Sequence, residues 1–262
     1  MQKKSKTLKI ITWNVNGLRA IERKGELNNL IQKNHPDIIC LQETKSHLEQ
    51  LTDETKDKQD YFSFFESADI RKGYSGVAIY SKEQPLKVSR TLGDKKFLDN
   101  EGRTIIAEYN NFYLLNIYFP NGGKSPEHFA YKLEYFQKTL DLMRKLDKKK
   151  SVILCGDVNA TVQDIDLARA KENQGHVGVT PEERSILNNW KKYFLDIWRE
   201  TYPEKLEYTW WDMKTMARER NVGWRIDYFF ISPKLKSKVK KIQILGEQFG
   251  SDHAPVLLEI EV

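Results

Sequence analysis

The segment SVILCGDVN, at residues 151–159, decides how the fold is interpreted. Its apolar first half is typical of a β-strand buried in a core, whereas Asp157 and Asn159 end that strand with polar groups that need partners. The first half of the chain carries a similar stretch, ITWN at residues 11–14, which also ends in a carboxamide. If the two halves share one architecture, both strand ends lie at one polar site.

Strand and helix patterns are mixed along the whole chain. Apolar runs rich in β-branched and aromatic residues predict strands at residues 8–13, 37–41, 76–80, 103–108, 112–119, 151–155, 226–231 and 255–260. Helical spacing predicts helices around residues 27–31, from Ser125-Pro126 onward, and from a capping box that begins at Thr180. The sequence shows no linker and no low-complexity tract. We therefore expect one α/β domain over residues 7–262, preceded by a basic arm over residues 1–6.

The composition is that of a globular protein, with 39% hydrophobic and 31% charged residues. The sequence has neither an apolar run long enough for a membrane helix nor a signal-peptide pattern, so we expect no membrane partner. Cys40 and Cys155 lie inside apolar runs, which predicts buried free thiols. Free thiols indicate a reducing, intracellular setting, namely the cytoplasm, with association to the nucleoid in a prokaryote. We expect a monomer.

The net charge is +6, from 43 Lys and Arg against 37 Asp and Glu. This surplus permits a polyanionic partner without demanding one. The lysine-rich run at residues 234–241 alternates with apolar residues. We interpret this run as the solvated edge of a strand or loop, with nucleic-acid contact as the alternative.

Polar groups lie at the ends of four predicted strands. The motifs are NVN at residues 14–16, QET at 42–44, GDVN at 156–159 and GSDH at 250–253. Hard oxygen donors with one imidazole and no accessible thiol favour Mg²⁺, with Mn²⁺ as a substitute, over zinc. Each motif alone is also compatible with a turn cap or an Asx-turn. Together the four indicate an oxygen-ligand metal site.

Motifs along nearly the whole chain resemble the exonuclease III/AP endonuclease family, in the order of that family. They are WNVNGLR at residues 13–19, LQETK at 41–45, GYSGV at 73–77, EGR at 101–103, YFPN at 118–121, CGDVN at 155–159, NVGWRIDY at 221–228 and GSDH at 250–253. A single motif such as GDVN also fits the wider superfamily that includes DNase I, whereas GWRIDY and WNVNGLR narrow the match. The resemblance implies a DNase I-like α/β fold. This is a four-layer αββα sandwich of two packed mixed β-sheets flanked by helices, with the active site at one end.

The resemblance also implies roles for individual residues. Glu43 resembles the main Mg²⁺ ligand, and Asp157 resembles the residue that orients or deprotonates the attacking water. Asn159 resembles a donor to the scissile phosphate, and Asp227 with His253 resembles an ion-paired dyad. The residues expected at or beside the metal are Asn14, Glu43, Asp157, Asn159, Asp252 and His253, with Asn16 as a neighbour. The expected catalytic residues are Tyr118, Asp157, Asn159, Asp227 and His253.

The expected substrate is double-stranded DNA with an abasic site. A family member cuts 5′ to the lesion and leaves a 3′-hydroxyl, with accessory 3′-phosphodiesterase or 3′→5′ exonuclease activity. The expected DNA contacts are Arg19, Lys45, Tyr74, Arg103, Asn121, Lys124, Lys214, Trp210, Trp224 and Ile226, of which the last three match the pocket for the abasic sugar. Two alternatives are another metal-dependent phosphoesterase of the superfamily and an inactive DNA-binding homologue. An inactive homologue has no need for the complete catalytic set, which argues against it.

Overall fold

Two β-sheets form the centre of the molecule. The computed structural model describes residues 6–93 and 100–262, so residues 1–5 of the predicted basic arm lie outside the described residues. All the predicted strands and helices are present. The elements are β1 (Thr7–Asn14), α1 (Leu18–Arg23), α2 (Glu26–Asn34), β2 (Ile38–Gln42), α3 (Asp53–Lys56), β3 (Phe62–Glu66), β4 (Val77–Ser81), β5 (Lys87–Ser89), β6 (Thr104–Glu108), β7 (Phe112–Ile117), α4 (Pro126–Asp147), β8 (Ser151–Asp157), α5 (Pro181–Trp190), β9 (Leu195–Asp196), α6 (Ile197–Thr201), β10 (Trp210–Trp211), β11 (Gly223–Trp224), β12 (Asp227–Ile231), β13 (Val239–Ile244) and β14 (Val256–Glu261).

Both large sheets have six strands and mixed directions. The first has the order β13-β14-β1-β2-β4-β3, and the second has the order β5-β6-β7-β8-β12-β9. β1 runs parallel to β2, and β7 runs parallel to β8, whereas the other neighbours within these two sheets are antiparallel. A short two-stranded ribbon joins β10 and β11.

Alternating side chains divide the apolar residues among three layers of core. Cys40 and Cys155, from β2 and β8, are buried together between the two sheets as free thiols, as predicted. Leu41 points to the opposite face of the first sheet and packs in the cluster that contains residues of α1 and α2. Leu154 points to the outer face of the second sheet and packs in the cluster that contains residues of α4 and α5. This is the four-layer αββα sandwich that the motifs implied.

Strand direction brings the polar strand ends to one end of the sandwich. Asn14 is paired in register with Gln42 at the ends of parallel β1 and β2. Asp157, which ends β8, is paired with Asp227, which begins antiparallel β12. The Nδ2 atom of Asn14 lies 2.8 Å from Oδ2 of Asp157, so the ends of the two sheets meet directly.

The lysine-rich run lies at the edge of the first sheet. Residues Pro233–Lys238 form a 3₁₀-helix, and β13 follows it as an edge strand with its lysines exposed or half-buried. The interpretation as a solvated edge is therefore confirmed. The sequence reading missed short elements such as α1 and α3, because six and four residues are too few to show helical periodicity. No helix in the described ranges is long and apolar enough to cross a membrane.

Candidate active site

Five buried or half-buried polar residues converge from five strand ends. Ligand atoms of Glu43, Asp157 and His253 lie within 4.8 Å of one another. Asn14 joins them from the end of β1, and Asp227 from the start of β12. Thus the structure brings together the residues that the sequence predicted to carry the chemistry.

A close crossing of backbones supports this convergence. Gly156, next to Asp157, has a φ of 137°, and a Cβ atom there would lie 1.9 Å from the carbonyl oxygen of Ile117 on β7. Only glycine allows this approach, because any side chain would force the two parallel strands apart. The glycine of the GDVN motif therefore has a structural role in placing Asp157.

Asn14 holds two carboxylates together. Its Nδ2 donates to Oε1 of Glu43 and to Oδ2 of Asp157, both at 2.8 Å. Its Oδ1 accepts the main-chain N–H of Asn16 at 3.0 Å, which fixes the orientation of the amide. The amide oxygen thus faces the backbone and the nitrogen faces the carboxylates. Metal ligation by Asn14 stays a prediction.

His253 and Asp227 form a buried dyad. The Nδ1 atom of His253 lies 2.9 Å from Oδ2 of Asp227, and Nε2 lies 3.9 Å from Oδ2 of Asp157. Burial acts to lower the pKa of His253, but the carboxylates of Asp227, Asp157 and Asp252 outweigh it and raise that pKa to about 10. The ring is therefore an imidazolium near neutral pH, which suits a hydrogen-bond donor. Metal ligation by His253 stays a prediction.

The two central carboxylates have pKa values shifted in opposite directions. Burial raises the pKa of Asp157 to about 7, with Asp227 and Glu43 adding to the rise and His253 opposing it. Burial also acts to raise the pKa of Glu43, but Lys45 and the Asn14 amide outweigh it and lower that pKa. Consequently Glu43 is charged across the neutral range, while Asp157 is able to take up a proton there.

Lys45 is engaged with the site in this structure. Its Nζ lies 2.8 Å from Oε2 of Glu43, and it also donates to Oδ1 of Asn16. The Nδ2 atom of Asn16 donates to Oδ1 of Asp252 at 3.0 Å, and Oδ2 of Asp252 accepts from the Trp210 indole at 3.1 Å. This chain of contacts links Glu43 to Trp210 through Lys45, Asn16 and Asp252.

Arg103 is not a surface contact, which corrects the sequence expectation. It is 2% exposed, and its guanidinium donates to Glu101, to the carbonyl of Tyr118 and to the hydroxyl of Tyr74. It also lies over the Tyr118 ring at 4.8 Å. Arg103 therefore orients Tyr74 and Tyr118, and no local sequence pattern indicates that the arginine just before β6 faces inward.

Tyr118 lies beside the carboxylates. The residue is 9% exposed, and the nearby Glu43 carboxylate acts on its phenol. Burial and the nearby carboxylates of Glu43 and Asp157 raise its pKa well above the ordinary value, although Arg103 acts against that rise. The phenol is therefore protonated at all ordinary pH values and can donate a hydrogen bond.

Two indoles stand beside the charged cluster. The rings of Trp210 and Trp224 are edge to face, with centroids 6.1 Å apart. Trp210 is also 6.5 Å from the ring of His253, and the buried Ile226 follows Trp224 in the chain by two residues. The three residues predicted to line a pocket thus lie on the ribbon and strand that border the catalytic groups.

Asn159 lies beside Asp157, and Asn121 contacts Asn159. Nδ2 of Asn159 donates to the carbonyl of Phe119 at 2.9 Å, and its main-chain N–H donates to Oδ1 of Asp157 at 2.8 Å. Its Oδ1 accepts from Nδ2 of Asn121 at 3.2 Å. Metal ligation by Asn159 stays a prediction. Arg19, Asn121, Lys124 and Lys214 are exposed, whereas Tyr74 and Lys45 are half-buried.

The sequence reading missed a buried lysine behind the site. Lys132 is fully buried on α4 and contacts the loops that carry Asn121 and Asn159. A signal was present, because Lys132 falls on the same helix face as Phe129 and Phe136, where an apolar residue is expected. Its ion-pair partner Glu183 was noticed only as part of a capping box.

Known proteins were compared with this chain as a whole. The model of the Endonuclease/Exonuclease/phosphatase family matches residues 11–253. The exodeoxyribonuclease of Bacillus subtilis (strain 168) is 40% identical over 258 residues, which cover 97% of this chain and 100% of that protein. The solved structure of the 3′ phosphatase NExo from Neisseria, bound to a product DNA hairpin, has a TM-score of 0.89 and 28% identity over 97% of this chain and 100% of that one. An AP endonuclease from Archaeoglobus fulgidus has a TM-score of 0.87 and 29% identity over the same shares, 97% and 100%.

Proposed function

This chain belongs to the endonuclease/exonuclease/phosphatase family as a hydrolytic nuclease, and we propose that it incises double-stranded DNA on the 5′ side of abasic sites, leaving a 3′-hydroxyl. Accessory 3′-phosphodiesterase and 3′→5′ exonuclease activities are part of the proposal. The resemblance inferred from the motifs is confirmed by these relatives. Residues 7–262 would form the single catalytic domain.

One observation carries the proposal: a hydrolytic cluster directly beside an aromatic wall. Trp210 contacts both the Asp252 carboxylate and the ring of His253, and it packs edge to face on Trp224. Extruding a nucleotide from the duplex costs a few kcal/mol, and less where the base is already missing. A narrow aromatic pocket beside the nuclease centre would therefore admit a bare deoxyribose and reject a sugar that carries its base.

The protein's own groups can serve each part of phosphodiester hydrolysis. Asp157, with a pKa raised to about 7, would orient and deprotonate the attacking water. The imidazolium of His253, held by Asp227, would donate to a phosphoryl oxygen as charge develops there. The second N–H of the Asn159 amide and the protonated phenol of Tyr118 would bind the remaining phosphoryl oxygens.

The donor set fits a hard divalent cation. Four carboxylates, Glu43, Asp157, Asp227 and Asp252, lie in or beside the site, where the described cations are His253 and Lys45. We propose that Glu43 holds Mg²⁺, for which Mn²⁺ substitutes, with Asp157 and Asp252 nearby. Bound there, Mg²⁺ would supply positive charge to the phosphoryl oxygens and to the departing 3′-oxygen.

The exposed cations around the site would bind the DNA backbone. Three exposed cations are available to phosphates, namely Arg19, Lys124 and Lys214. Lys45 pairs with Glu43 in this structure, and it would become available when Mg²⁺ takes its place at that carboxylate. Affinity for duplex should then fall with salt, because each neutralised phosphate releases counterions. We further propose a monomeric, cytoplasmic enzyme, consistent with its two buried free thiols.

A time course on a duplex with one abasic analogue tests the function. The same reaction is run in Mg²⁺, in excess EDTA and in EDTA with Mg²⁺ restored, beside a duplex with a recessed undamaged 3′-end. We expect incision 5′ to the analogue only where Mg²⁺ is present. Full incision in EDTA would contradict the metal assignment. Degradation of the recessed end with an intact abasic strand would favour an exonuclease or another phosphoesterase.

Pocket variants test how the abasic site is selected. Trp224→Ser and Trp210→Ala should enlarge the pocket, so that cutting at intact nucleotides rises relative to abasic incision. Tyr193→Ala provides a matched control, because Tyr193 is an exposed aromatic outside the site. Parallel loss of both activities together with the melting temperature would show that the tryptophan serves the core instead.

A further inference from the structure

Lys132 and Glu183 form an ion pair that is completely buried behind the candidate active site. Both side chains are 0% exposed, and Nζ lies 2.5 Å from Oε1. Lys132 belongs to α4 and Glu183 to α5. Replacing such a pair by apolar residues is often neutral or stabilising, because removing two charges from water is expensive. Stability alone therefore gives no reason for this pair.

The ammonium of Lys132 has two further partners, and both lie in the site. It donates to the carbonyl of Asn121 at 3.0 Å and to the carbonyl of Asn159 at 2.8 Å. With the Glu183 ion pair, the ammonium has three oxygen atoms within 3.0 Å. Gly122 lies against this lysine so closely that a Cβ atom there would be 2.9 Å from its Cδ. One buried cation thus joins the loops after β7 and β8.

The carboxylate of Glu183 fixes a third segment. Its Oε2 accepts the main-chain N–H groups of Gly178 at 2.7 Å and of Thr180 at 3.0 Å. Gly178 in turn supports the aromatic wall, since a Cβ atom on it would lie 2.8 Å from Cζ3 of Trp224. The segment at residue 178 therefore backs the indole that is proposed to face the abasic sugar.

We propose that the Lys132–Glu183 pair positions the phosphate-binding and sugar-binding sides of the site relative to each other. It holds Asn121 and Asn159 on one side and the support of Trp224 on the other through a single buried contact. Neither residue reaches the reacting atoms, so both are positioning residues. The inference rests on the proposed function, because the roles of Asn159 and Trp224 come from it.

Single-turnover incision of an abasic-analogue duplex with Lys132→Met tests this proposal. With saturating enzyme, the rate should fall about tenfold or more, since misplacement by about 1 Å can cost up to about a hundredfold. The Kd for the duplex should change by less than about threefold, because the backbone-binding cations are untouched. Lys58→Met is the matched control, as Lys58 pairs with Glu22 at 3.1 Å and is only 6% exposed, but contacts none of these loops.

A double variant separates positioning from stability. Lys132→Met/Glu183→Gln removes both buried charges, so its melting temperature should recover relative to Lys132→Met while its rate stays low. Glu183→Gln keeps the shape of the side chain and provides the same rate test if Lys132→Met does not fold. The proposal is overturned if the double variant incises within about threefold of wild type, or if Lys58→Met loses as much rate for an equal loss of melting temperature.

Failure of the proposed function would look different from failure of this inference. In that case the wild-type protein would leave the abasic duplex intact and hydrolyse another phosphodiester, such as the recessed 3′-end. The same variants are then measured on that substrate. A rate loss there supports the positioning role, and an unchanged rate overturns it.

Discussion

Two clusters of buried charge lie next to each other along the chain but are built in opposite ways. The structural cluster consists of Arg199 and Arg225 with Asp166 and Asp196, two cations against two anions. The catalytic cluster consists of Glu43, Asp157, Asp227 and His253, three carboxylates against one imidazole. Only Ile226 separates Arg225 from Asp227 in the sequence.

The structural cluster pairs its charges closely, although the buried Nε of Arg199 has no hydrogen-bond partner among the described residues. Arg225 binds Asp196 with two nitrogens, at 3.1 and 2.6 Å, and donates its Nε to Asp166 at 2.9 Å. Arg199 donates to the same oxygen of Asp166 at 2.7 Å and to three main-chain carbonyls. Paired geometry of this kind offsets the desolvation of buried charges.

The catalytic cluster keeps an imbalance instead. Oδ1 of Asp227 is buried without a hydrogen-bond partner among residues 6–93 and 100–262. The pKa of Asp157 is raised by burial and by its acidic neighbours, and the pKa of His253 is raised by the same carboxylates. The contrast teaches that one cluster stabilises the fold, while the other keeps unbalanced negative charge where the proposed chemistry needs a cation and a base.

Asp157→Asn should have the largest effect, and its two readouts should move in opposite directions. Incision should fall about 10²- to 10⁴-fold, because an amide is unable to accept a proton from water. Folding raises the pKa of Asp157 from its ordinary value of 3.8 to about 7. The ionised carboxylate therefore destabilises the fold increasingly as the pH rises from 3.8 to about 7, and to the full extent above pH 7. The metal-free variant should therefore melt higher than wild type at pH 8.

Incision rates in Mg²⁺ and thermal unfolding in EDTA, both at pH 8, check this prediction. Thr215→Ala, an exposed change outside both clusters, is the control for assay and folding. A variant that lost activity together with stability would show that the catalytic cluster resembles the structural one.

Arg225→Met should break the structural cluster and lower the free energy of unfolding by about 3–5 kcal/mol, because the buried Asp196 loses its guanidinium partner and Asp166 keeps only Arg199. Urea unfolding measures the change. Arg184→Met is the matched control, since Arg184 pairs with Asp164 at 2.6 Å but that carboxylate is 61% exposed. The control should cost less than about 1 kcal/mol. Equal losses in the two variants would remove the distinction between buried and exposed pairs.

The sequence predicted one cluster much better than the other. Glu43, Asp157 and His253 were visible because polar groups at the ends of apolar strands have no structural reason to be there. Arg225 was visible only as part of a family motif, since nothing in a sequence pairs it with Asp166 and Asp196 across 59 and 29 residues.

The same limit explains the residues that were placed wrongly or missed. An arginine at a strand start, such as Arg103, faces water or core according to partners distant in the chain. A lysine on an apolar helix face, such as Lys132, is buried or exposed according to its tertiary partner, which local spacing does not reveal. The layered fold was predictable, since long apolar strands and helices with clear caps carry the strongest local signals.

Mg²⁺ should stabilise the wild-type protein, because it supplies the charge that the catalytic cluster lacks. At a free concentration 100 times its Kd, the gain in unfolding free energy is about 2.7 kcal/mol. Thermal unfolding over a range of Mg²⁺ concentrations measures the gain. Glu43→Gln should lose most of it, whereas the control Glu49→Gln, on an exposed side chain, should keep it. Equal stabilisation of both variants would indicate a general ionic effect.

Asp227→Asn should produce the smallest shift, within the dyad itself. The Asp227 carboxylate is the main cause that raises the pKa of His253 to about 10 against burial. A group with a raised folded pKa stabilises the fold fully below its ordinary value of 6.5, and this contribution is lost as pH rises toward 10. With an amide at 227, the imidazole pKa should fall by about one unit or more, each unit being about 1.4 kcal/mol. The loss of stability should then occur at lower pH.

NMR titration of the His253 ring in metal-free protein measures the shift, with the exposed His176 as internal reference. If the His253 titration is the same in both proteins, Asp227 does not hold the imidazolium, and the third carboxylate of the catalytic cluster needs another explanation.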